Sequence, residues 1–279
     1  MSTSSSIQHD AVDIAFQAKD GRRLANDKNI AYILPSDELE VDRLKLNHEM
    51  WKLYKSKIHE QLEKGIRVLD IGCGPGWWTL DMARLYPNSQ FVGIDMADVF
   101  QTSDVPSNVT FQICNASTGL KFENESFSFV FQRFLVMGFP VDQYLQSVDE
   151  MKRVLKPGGA IEIIELVNDY KNAGPAFTKI GRGSMDSFIA DKISGFLNKA
   201  GFVDIQDINY DVPIGAWGGE AGEMFLAIQK MALPAVKVMV TELTSITSVE
   251  YDETVEQAFK EADTHRVSTR FRQIYGRKP

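Results

Sequence analysis

The chain alternates between two hydrophobic patterns. Short, nearly continuous apolar runs are followed by segments whose apolar residues recur every three or four positions. Runs of the first kind are typical of strands that are covered on both faces, and segments of the second kind are typical of amphipathic helices. The pattern therefore predicts an α/β fold, with a mostly parallel sheet and helices on both faces.

The predicted sheet contains seven strands. They cover residues 66–71, 90–95, 109–113, 127–131, 160–167, 202–212 and 268–275. Helical periodicity predicts connecting helices over residues 77–85, 141–155 and 185–200. Gly201 follows the last of these helices, in the position that glycine commonly takes after a helix.

The residues before the sheet divide into a tail and a helical cap. Residues 1–29 are polar and mixed, which predicts a mobile tail with one short helix at 11–18. Asp37 and Glu40 have the spacing of a capping box, so a helix should begin there. Apolar residues then recur on one helical face over residues 41–62, which predicts one long amphipathic helix that covers one side of the core.

A long insertion precedes the last strand. Residues 214–265 are too many for a plain turn, and their periodicity predicts helices at 220–233, 235–243 and 254–263. Its apolar face contains Trp217, Met224, Phe225 and Met231. We expect the insertion either to border a ligand pocket or to form a homodimer interface. The core then comprises residues 30–213 and 266–279.

Composition narrows the class of protein. The 279 residues suit one domain with a sizeable insertion, and the net charge is −8. An acidic balance without a basic stripe argues against nucleic acid as the partner. No apolar run approaches the ~18–20 residues that cross a bilayer, so we expect no membrane span.

The cysteines indicate the compartment. Cys73 and Cys114 are the only two, so they predict no disulfide framework, and they lack the spacing of metal ligands. We therefore expect no metal and an intracellular, reducing compartment, the cytoplasm or the nucleus. The Ser-rich residues 1–6 contain no apolar signal region.

A glycine-rich turn follows the first predicted strand. In Val68-Leu69-Asp70-Ile71-Gly72-Cys73-Gly74-Pro75-Gly76, the strand ends in an acid, glycines occupy alternate positions and a helix follows. Glycines let the main chain approach a ligand closely and adopt torsions that other residues resist. This stretch predicts the backbone cradle of a small cofactor.

Two cofactor classes compete for this loop. A dinucleotide loop requires Gly-x-Gly-x-x-Gly, but position 77 is Trp, and Asp70 would face a pyrophosphate. S-adenosylmethionine instead carries an ammonium and a sulfonium, so an acid before the loop suits it. Asp95 ends the second strand, where a carboxylate can accept both ribose hydroxyls, and Met96 follows to pack on adenine. The loop therefore favours S-adenosylmethionine.

Several motifs carry a resemblance to a known family. The loop 68–76, the strand 91–95 and Leu155-Lys156-Pro157-Gly158-Gly159 resemble, in order and spacing, the motifs of class I S-adenosylmethionine-dependent methyltransferases. The resemblance covers residues 60–212 and implies a Rossmann-like fold. A narrower likeness is to the fungal LaeA-like and UMTA-like methyltransferases of secondary metabolism. It is carried by Tyr32-x-Leu34-Pro35-x-Asp37-x-x-Glu40-x-x-Arg43-Leu44, by His48, and by Arg133 after the fourth strand.

The resemblance implies a set of cofactor contacts. They are Tyr32, Arg43, Asp70, Gly72, Cys73, Gly74, Gly76, Asp95, Met96, Asn115, Ala116, Gln132 and Arg133. Tyr32 and Arg43 would close over the methionine end, where Arg43 could pair with the carboxylate. Asn115 stands where the family usually has an acid that contacts the adenine amine, and its amide oxygen can accept the same hydrogen bond.

The resemblance also implies the reaction. A methyl group would move by in-line displacement to an O or N nucleophile of a small, mostly apolar molecule, leaving S-adenosylhomocysteine. Such a displacement depends on placement and exclusion of water, and the candidates for a catalytic residue are His48, Arg133 and Glu165. The alternatives are a regulatory protein that binds S-adenosylmethionine and acts through protein partners, and a methyltransferase of proteins or peptides.

Overall fold

The computed structural model of the chain describes residues 16–19, 22–25, 38–51, 57–136, 141–183 and 188–279. The strands in these segments are β1 Phe16–Lys19, β2 Arg22–Ala25, β3 Arg67–Ile71, β4 Gln90–Asp95, β5 Val109–Ile113, β6 Phe127–Arg133, β7 Leu155–Lys171, β8 Val203–Pro213 and β9 Ser268–Arg277. The α-helices are α1 Glu38–Met50, α2 His59–Lys64, α3 Trp77–Leu85, α4 Val141–Val154, α5 Pro175–Gly183, α6 Phe188–Lys199, α7 Gly219–Leu243 and α8 Ser248–His265. Short 3₁₀ helices cover Ala116–Thr118 and Ala216–Gly218.

One seven-stranded sheet forms the centre of the fold. Its order is β5-β4-β3-β6-β7-β9-β8. The first five strands in this order pair in parallel, and β9 lies antiparallel between β7 and β8. The Rossmann-like, mostly parallel sheet that the sequence predicts is therefore confirmed. β4 and β5 have the predicted bounds, whereas β7 extends beyond its predicted span at both ends.

Burial explains why the central strand β3 is so apolar. Val68, Leu69 and Ile71 of β3 are completely buried, because the faces of the sheet pack into separate hydrophobic clusters. β4 and β5 follow β3 on one side of it, and β6 and β7 lie on its other side. The strand order therefore reverses at β3. A crevice forms outside the carboxyl ends of parallel strands at such a point.

Two predictions for the N-terminal part are wrong. β1 and β2 form an antiparallel hairpin, so the helix predicted at 11–18 does not exist over residues 16–18. Its remaining residues lie outside the described segments. The long helix predicted at 41–62 is divided, because α1 ends at Met50 and α2 begins only at His59.

The inward face of α1 explains this error. The buried side chains of α1 are polar rather than apolar: Glu40, Arg43, Asn47 and His48. The apolar periodicity from which the long helix was predicted therefore does not mark the face that α1 buries. A helix that buries polar groups requires partners for them: Glu40 and Arg43 pair with each other within α1, and His48 is bonded at the site described below.

The insertion contains one long helix where two were predicted. α7 continues through Pro234, although proline lacks a backbone donor and normally breaks or kinks a helix. Leu233 and Ala235 on either side are buried, and this packing offsets the lost hydrogen bond. α8 begins at a capping box formed by Thr247 and Glu250.

The apolar side chains of the insertion build a second core. Phe225, Tyr251 and Phe271 are buried there together with side chains of α5. Met224 packs against the same cluster, and Trp217 is 40% exposed with its Nε1 donating to backbone carbonyls. Phe225 and Met224 of the apolar face that was predicted to border a ligand or a second subunit are thus used inside the fold.

α7 also bears on the membrane prediction. The stretch Ala216–Glu242 is long and apolar enough, by length and composition alone, to cross a membrane. Sequence analysis found no such run. In the structure Phe225, Ile228 and Leu233 of this stretch belong to the second core, which accounts for part of its apolar character.

Candidate functional site

A cleft opens at the carboxyl ends of β3, β4 and β6, next to α1. It encloses about 650 Å³ of space that is partly open to solvent. The lining residues are Leu44, Asn47, His48, Asp70, Gly72, Cys73, Gly74, Pro75, Trp77, Trp78, Asp95, Phe131, Arg133, Phe134 and Leu135. This is the place where parallel sheets bind ligands, and it contains much of the predicted site.

The loop glycines serve different purposes, although all have positive φ. A Cβ at Gly72 would lie 2.8 Å from Leu135 Cδ1, and one at Gly76 would overlap the ring of Phe111. A Cβ at Gly74 would meet only Leu44 Cδ1, at 3.7 Å. Gly72 and Gly76 therefore make room for the protein's own side chains, whereas Gly74 keeps the wall of the cleft open.

Gly76 thus differs from its predicted role. It does not line the cleft, and it caps the start of α3 in a left-handed conformation with φ of 85°. Its absence of a side chain is required by Phe111 rather than by a ligand.

Asp95 closes the loop from the neighbouring strand. Its Oδ2 accepts a hydrogen bond from Gly74 N at 2.9 Å, and its Oδ1 accepts one from Ala97 N at 2.9 Å. Burial raises the pKa of this carboxyl, and the backbone donors lower it. A carboxylate has about four acceptor positions, so Asp95 keeps acceptor capacity for a ligand hydroxyl beside its backbone donors.

Asp70 is the second acid of the cleft. It is buried on β3, and its Oδ2 accepts a hydrogen bond from Thr79 Oγ1 at 2.6 Å. Burial raises the pKa of Asp70 to about 7, against the opposing effects of the Thr79 hydroxyl and the Arg133 charge. A cationic group in the cleft would favour the ionised form.

Arg133 and His48 are joined across the cleft. Arg133 Nη2 lies 3.2 Å from His48 Nδ1, and His48 Nε2 lies 3.0 Å from Asp81 Oδ2. Burial lowers the pKa of Arg133 to about 10, which still leaves the guanidinium charged at neutral pH. Both ring nitrogens of His48 are engaged by protein side chains, and the catalytic role predicted for His48 and Arg133 stays a prediction.

The upstream residues behave differently from their predicted roles. Arg43 forms a bidentate pair with Glu40, at 2.8 and 2.6 Å, and does not line the cleft. Its guanidinium is used within α1, because the two residues lie one turn apart on the buried face. Tyr32 lies outside the described residues.

The predicted adenine contacts lie at the ends of β4 and β5. Asn115 Oδ1 accepts hydrogen bonds from both Ser117 N, at 2.9 Å, and Ser117 Oγ, at 2.8 Å. It therefore caps the 3₁₀ helix that begins at Ala116, and the oxygen that was expected to accept from adenine is already used. Met96 follows Asp95 directly, and the contacts of Met96 and Ala116 with adenine stay predictions.

Gln132 and Glu165 lie beneath the cleft rather than in it. Both are completely buried and neither lines it. Glu165 Oε1 accepts from Leu135 N at 2.8 Å, Val136 N at 3.2 Å and Gln132 Nε2 at 3.3 Å. Burial raises the pKa of Glu165 to about 8. Glu165 thus shapes the loop after β6, which corrects its predicted place at the reacting groups.

The cysteines give no indication of metal or nucleophilic chemistry. Burial raises the pKa of the Cys73 thiol well above its usual value, which keeps it protonated. Cys114 is buried in the main hydrophobic cluster. Within the segments that the structure describes, no group of three or more His, Cys, Asp or Glu side chains could hold a metal ion.

The structure places further side chains at the cleft, of which Asn47 and Asp81 were not predicted. Asn47 lines the cleft from α1, and Asp81 supports His48 from α3. Trp78 stacks on Phe131, with ring centroids 3.8 Å apart, and forms an aromatic wall with Trp77 and Phe134. Arg43, Asn47 and His48 have helical spacing and share the buried face of α1. The same segment also contains apolar residues at helical spacing, and the prediction followed those instead.

Comparisons with known proteins agree with this geometry. Residues 68–159 match a family described as methyltransferase domain. The chain is 32% identical over 154 residues to the secondary metabolism regulator laeA of Coprinopsis cinerea, covering 52% of this chain and 38% of that protein. It is 28% identical to methyltransferase pytC of Aspergillus terreus, and the match covers 77% of this chain and 69% of that protein. It is also 28% identical to N-methyltransferase verN of Clonostachys rogersoniana, and the match covers 70% of this chain and 73% of that protein.

The sheet order, the glycine loop, Asp95 and the matched domain define one class of protein. Residues 68–159 match the methyltransferase domain, and the chain is similar to proteins named as methyltransferases, as its cofactor-loop motifs indicate for the class I S-adenosylmethionine-dependent enzymes. Its relatives also include secondary metabolism regulators, so the chain is similar to the LaeA-like branch of that class. The resemblance seen in the sequence motifs is thereby confirmed.

Proposed function

We propose that the protein transfers a methyl group from S-adenosylmethionine to an O or N nucleophile of a small, mostly apolar molecule. The observation that carries the proposal is the juxtaposition of Gly74 and Asp95 at an aromatic-lined cleft. The names of relatives such as N-methyltransferase verN make nitrogen the first candidate for the nucleophile. The chain spans only 38% of the laeA protein of Coprinopsis cinerea, so its acceptor is proposed from the cleft.

The residues of the cleft fit this cofactor. Gly74 leaves space for a ligand at the loop, and Asp95 retains acceptor capacity for a ribose hydroxyl. Asp70 offers a carboxylate to an ammonium group. When bound, S-adenosylmethionine supplies an electrophilic methyl group on a charged sulfur.

The chain's own contribution is placement and exclusion of water. Trp77, Trp78, Phe131 and Phe134 cover the wall of the cleft, and α1 lies at its edge. Aromatic faces attract a cation and exclude water, and an apolar acceptor would gain from contact with them. Orientation of this kind can lower a barrier by about 7–11 kcal/mol.

Turnover tests the proposal directly. The purified protein, incubated with methyl-labelled cofactor and a fungal small-molecule extract, should label a compound below about 1 kDa. Asp95→Ala should weaken binding of S-adenosylhomocysteine tenfold or more, about 1.4 kcal/mol, and should reduce labelling at limiting cofactor. Label confined to protein would contradict a small-molecule acceptor, and unchanged affinity of the variant would contradict the assignment of Asp95 to ribose.

Binding of the cofactor product should depend on pH. We expect the affinity for S-adenosylhomocysteine to rise as the pH passes upward through about 7, because the pKa of Asp70 lies there and only its ionised form attracts an ammonium. Calorimetry between about pH 6 and pH 8 measures this, and Asp70→Asn should flatten the dependence. A native protein whose affinity is constant over that range would rule out the role of Asp70.

A second candidate function is regulation. It is favoured by the similarity to the secondary metabolism regulator laeA, which covers 52% of this chain. A regulator would bind S-adenosylhomocysteine with the same dependence on Asp95 and would label no small molecule. A methyltransferase of proteins or peptides would instead label a polypeptide in the same extract.

A further inference from the structure

Two opposite charges face the cleft from neighbouring strands. Asp70 lies on β3 and Arg133 ends β6, and both line the cleft. Each affects the ionisation of the other, but no carboxylate of the described segments forms an ion pair with Arg133. A partly buried guanidinium that lacks a paired carboxylate and faces a cleft indicates a ligand that supplies an anionic group.

We propose that Arg133 binds the α-carboxylate of the methionyl part of the cofactor, and that His48 and Asp81 hold its guanidinium in position. This assignment rests on the proposed function. Asp70 and Arg133 together match the ammonium and carboxylate that an amino acid carries on one carbon. A phosphate in the same place would meet the negative charge of Asp70.

The hydrogen bonds of His48 fix its role. Arg133 has no acceptor atom, so Arg133 Nη2 must donate to His48 Nδ1. His48 Nδ1 therefore carries no hydrogen, and the ring proton on Nε2 points to Asp81 Oδ2. The imidazole is thus a neutral link that orders one N–H of the guanidinium.

The remaining N–H groups of Arg133 are available to a ligand. A guanidinium carries five donors, and a carboxylate can accept two of them in parallel. Within the described segments, His48 Nδ1 is the acceptor bonded to Arg133. Arg43, the residue that the sequence favoured for the carboxylate, is instead held by both oxygens of Glu40.

This arrangement makes α1 part of the cofactor site. His48 comes from α1, Asp81 from α3 and Arg133 from β6, so the chain of hydrogen bonds joins three elements that are distant in sequence. His48 is 5% exposed, although a histidine on a covering helix would ordinarily face solvent. His48 and Asp81 are positioning residues in this scheme, because they act through Arg133.

The test compares two ligands that differ by one group. Calorimetry should measure the binding of S-adenosylhomocysteine and of its decarboxylated analogue, which keeps the amine, thioether, ribose and adenine. Native protein should favour the intact compound by tenfold or more. Arg133→Gln should remove this preference while changing the affinity for the analogue less than twofold.

Variants of the supporting residues separate positioning from folding. His48→Leu should lose most of the preference for the carboxylate, and His48→Asn should restore part of it, because its amide can accept from Arg133 and donate to Asp81. Arg84→Gln removes a half-exposed arginine that also contacts Asp81 but does not line the cleft, and it should leave the preference unchanged. Thermal melting confirms that each variant is folded.

The outcomes are distinct. Equal affinity of native protein for both ligands, or equal losses for both ligands in Arg133→Gln, would overturn the carboxylate assignment while the proposed function stands. Failure of His48→Leu to change the preference would overturn the positioning role of His48. Failure of native protein to bind either ligand would overturn the proposed function, and this assignment with it.

Discussion

Replacing Gly74 with valine should abolish binding of S-adenosylhomocysteine, with a loss of at least a hundredfold, or about 2.7 kcal/mol. Gly74 is the loop glycine whose missing side chain leaves space in the cleft rather than space for another residue. A branched side chain there would occupy the wall against which a ligand must lie. Calorimetry with the folded variant measures the loss.

Backbone strain must be separated from this steric effect. Gly74 has φ of 54°, where a β-branched residue is strained by about 1–3 kcal/mol. Gly158 offers a matched control, because its φ is 77° and a Cβ there would meet nothing within 4 Å. Gly158→Val should therefore lose stability without losing affinity. If Gly74→Val still binds the ligand, or if Gly158→Val also fails to bind, the assignment of the loop is wrong.

Glu165→Gln should change how the stability of the protein depends on pH. The pKa of Glu165 is about 8 in the folded protein, against an ordinary value of 4.5 in the unfolded chain. Between these values the folded protein holds a proton that the unfolded chain has released. The free energy of unfolding should therefore fall as pH rises, by up to about 1.4 kcal/mol per pH unit from this group.

The glutamine variant isolates this contribution. The amide oxygen of the introduced glutamine can accept from the same three donors, so the loop after β6 should keep its shape. Asp70 contributes a slope of the same sign only up to about pH 7, so most of the fall between about pH 7 and pH 8 should disappear in the variant.

Urea unfolding at several pH values measures both slopes. Glu256→Gln, on the exposed surface of α8, is the control and should leave the slope between about pH 7 and pH 8 unchanged. An identical dependence in native protein and Glu165→Gln would show that Glu165 is not protonated in the fold.

Strands and the cofactor loop were accessible from the sequence because their signals are local. A strand buried on both faces must be apolar along its whole length, so β4 was predicted with its observed bounds. β5 was also predicted with its observed bounds, although it is a partly exposed edge strand. The spacing of Gly72, Gly74 and Gly76 after an acid likewise predicts a tight glycine-rich turn between a strand and a helix. The element boundaries that failed depend on packing, as at Pro234, where buried neighbours keep α7 continuous.

The division between sequence and tertiary structure is clearest at the charged residues. The sequence by itself determined the parallel sheet, the loop and the acid Asp95, because apolar periodicity and glycine spacing constrain the chain over a few residues. Only the tertiary structure decided that Arg133 is bonded to His48, that His48 is bonded to Asp81, and that Glu165 lies below the cleft. Charge is visible in a sequence, but its partner comes from another element, and the fold alone brings the two together.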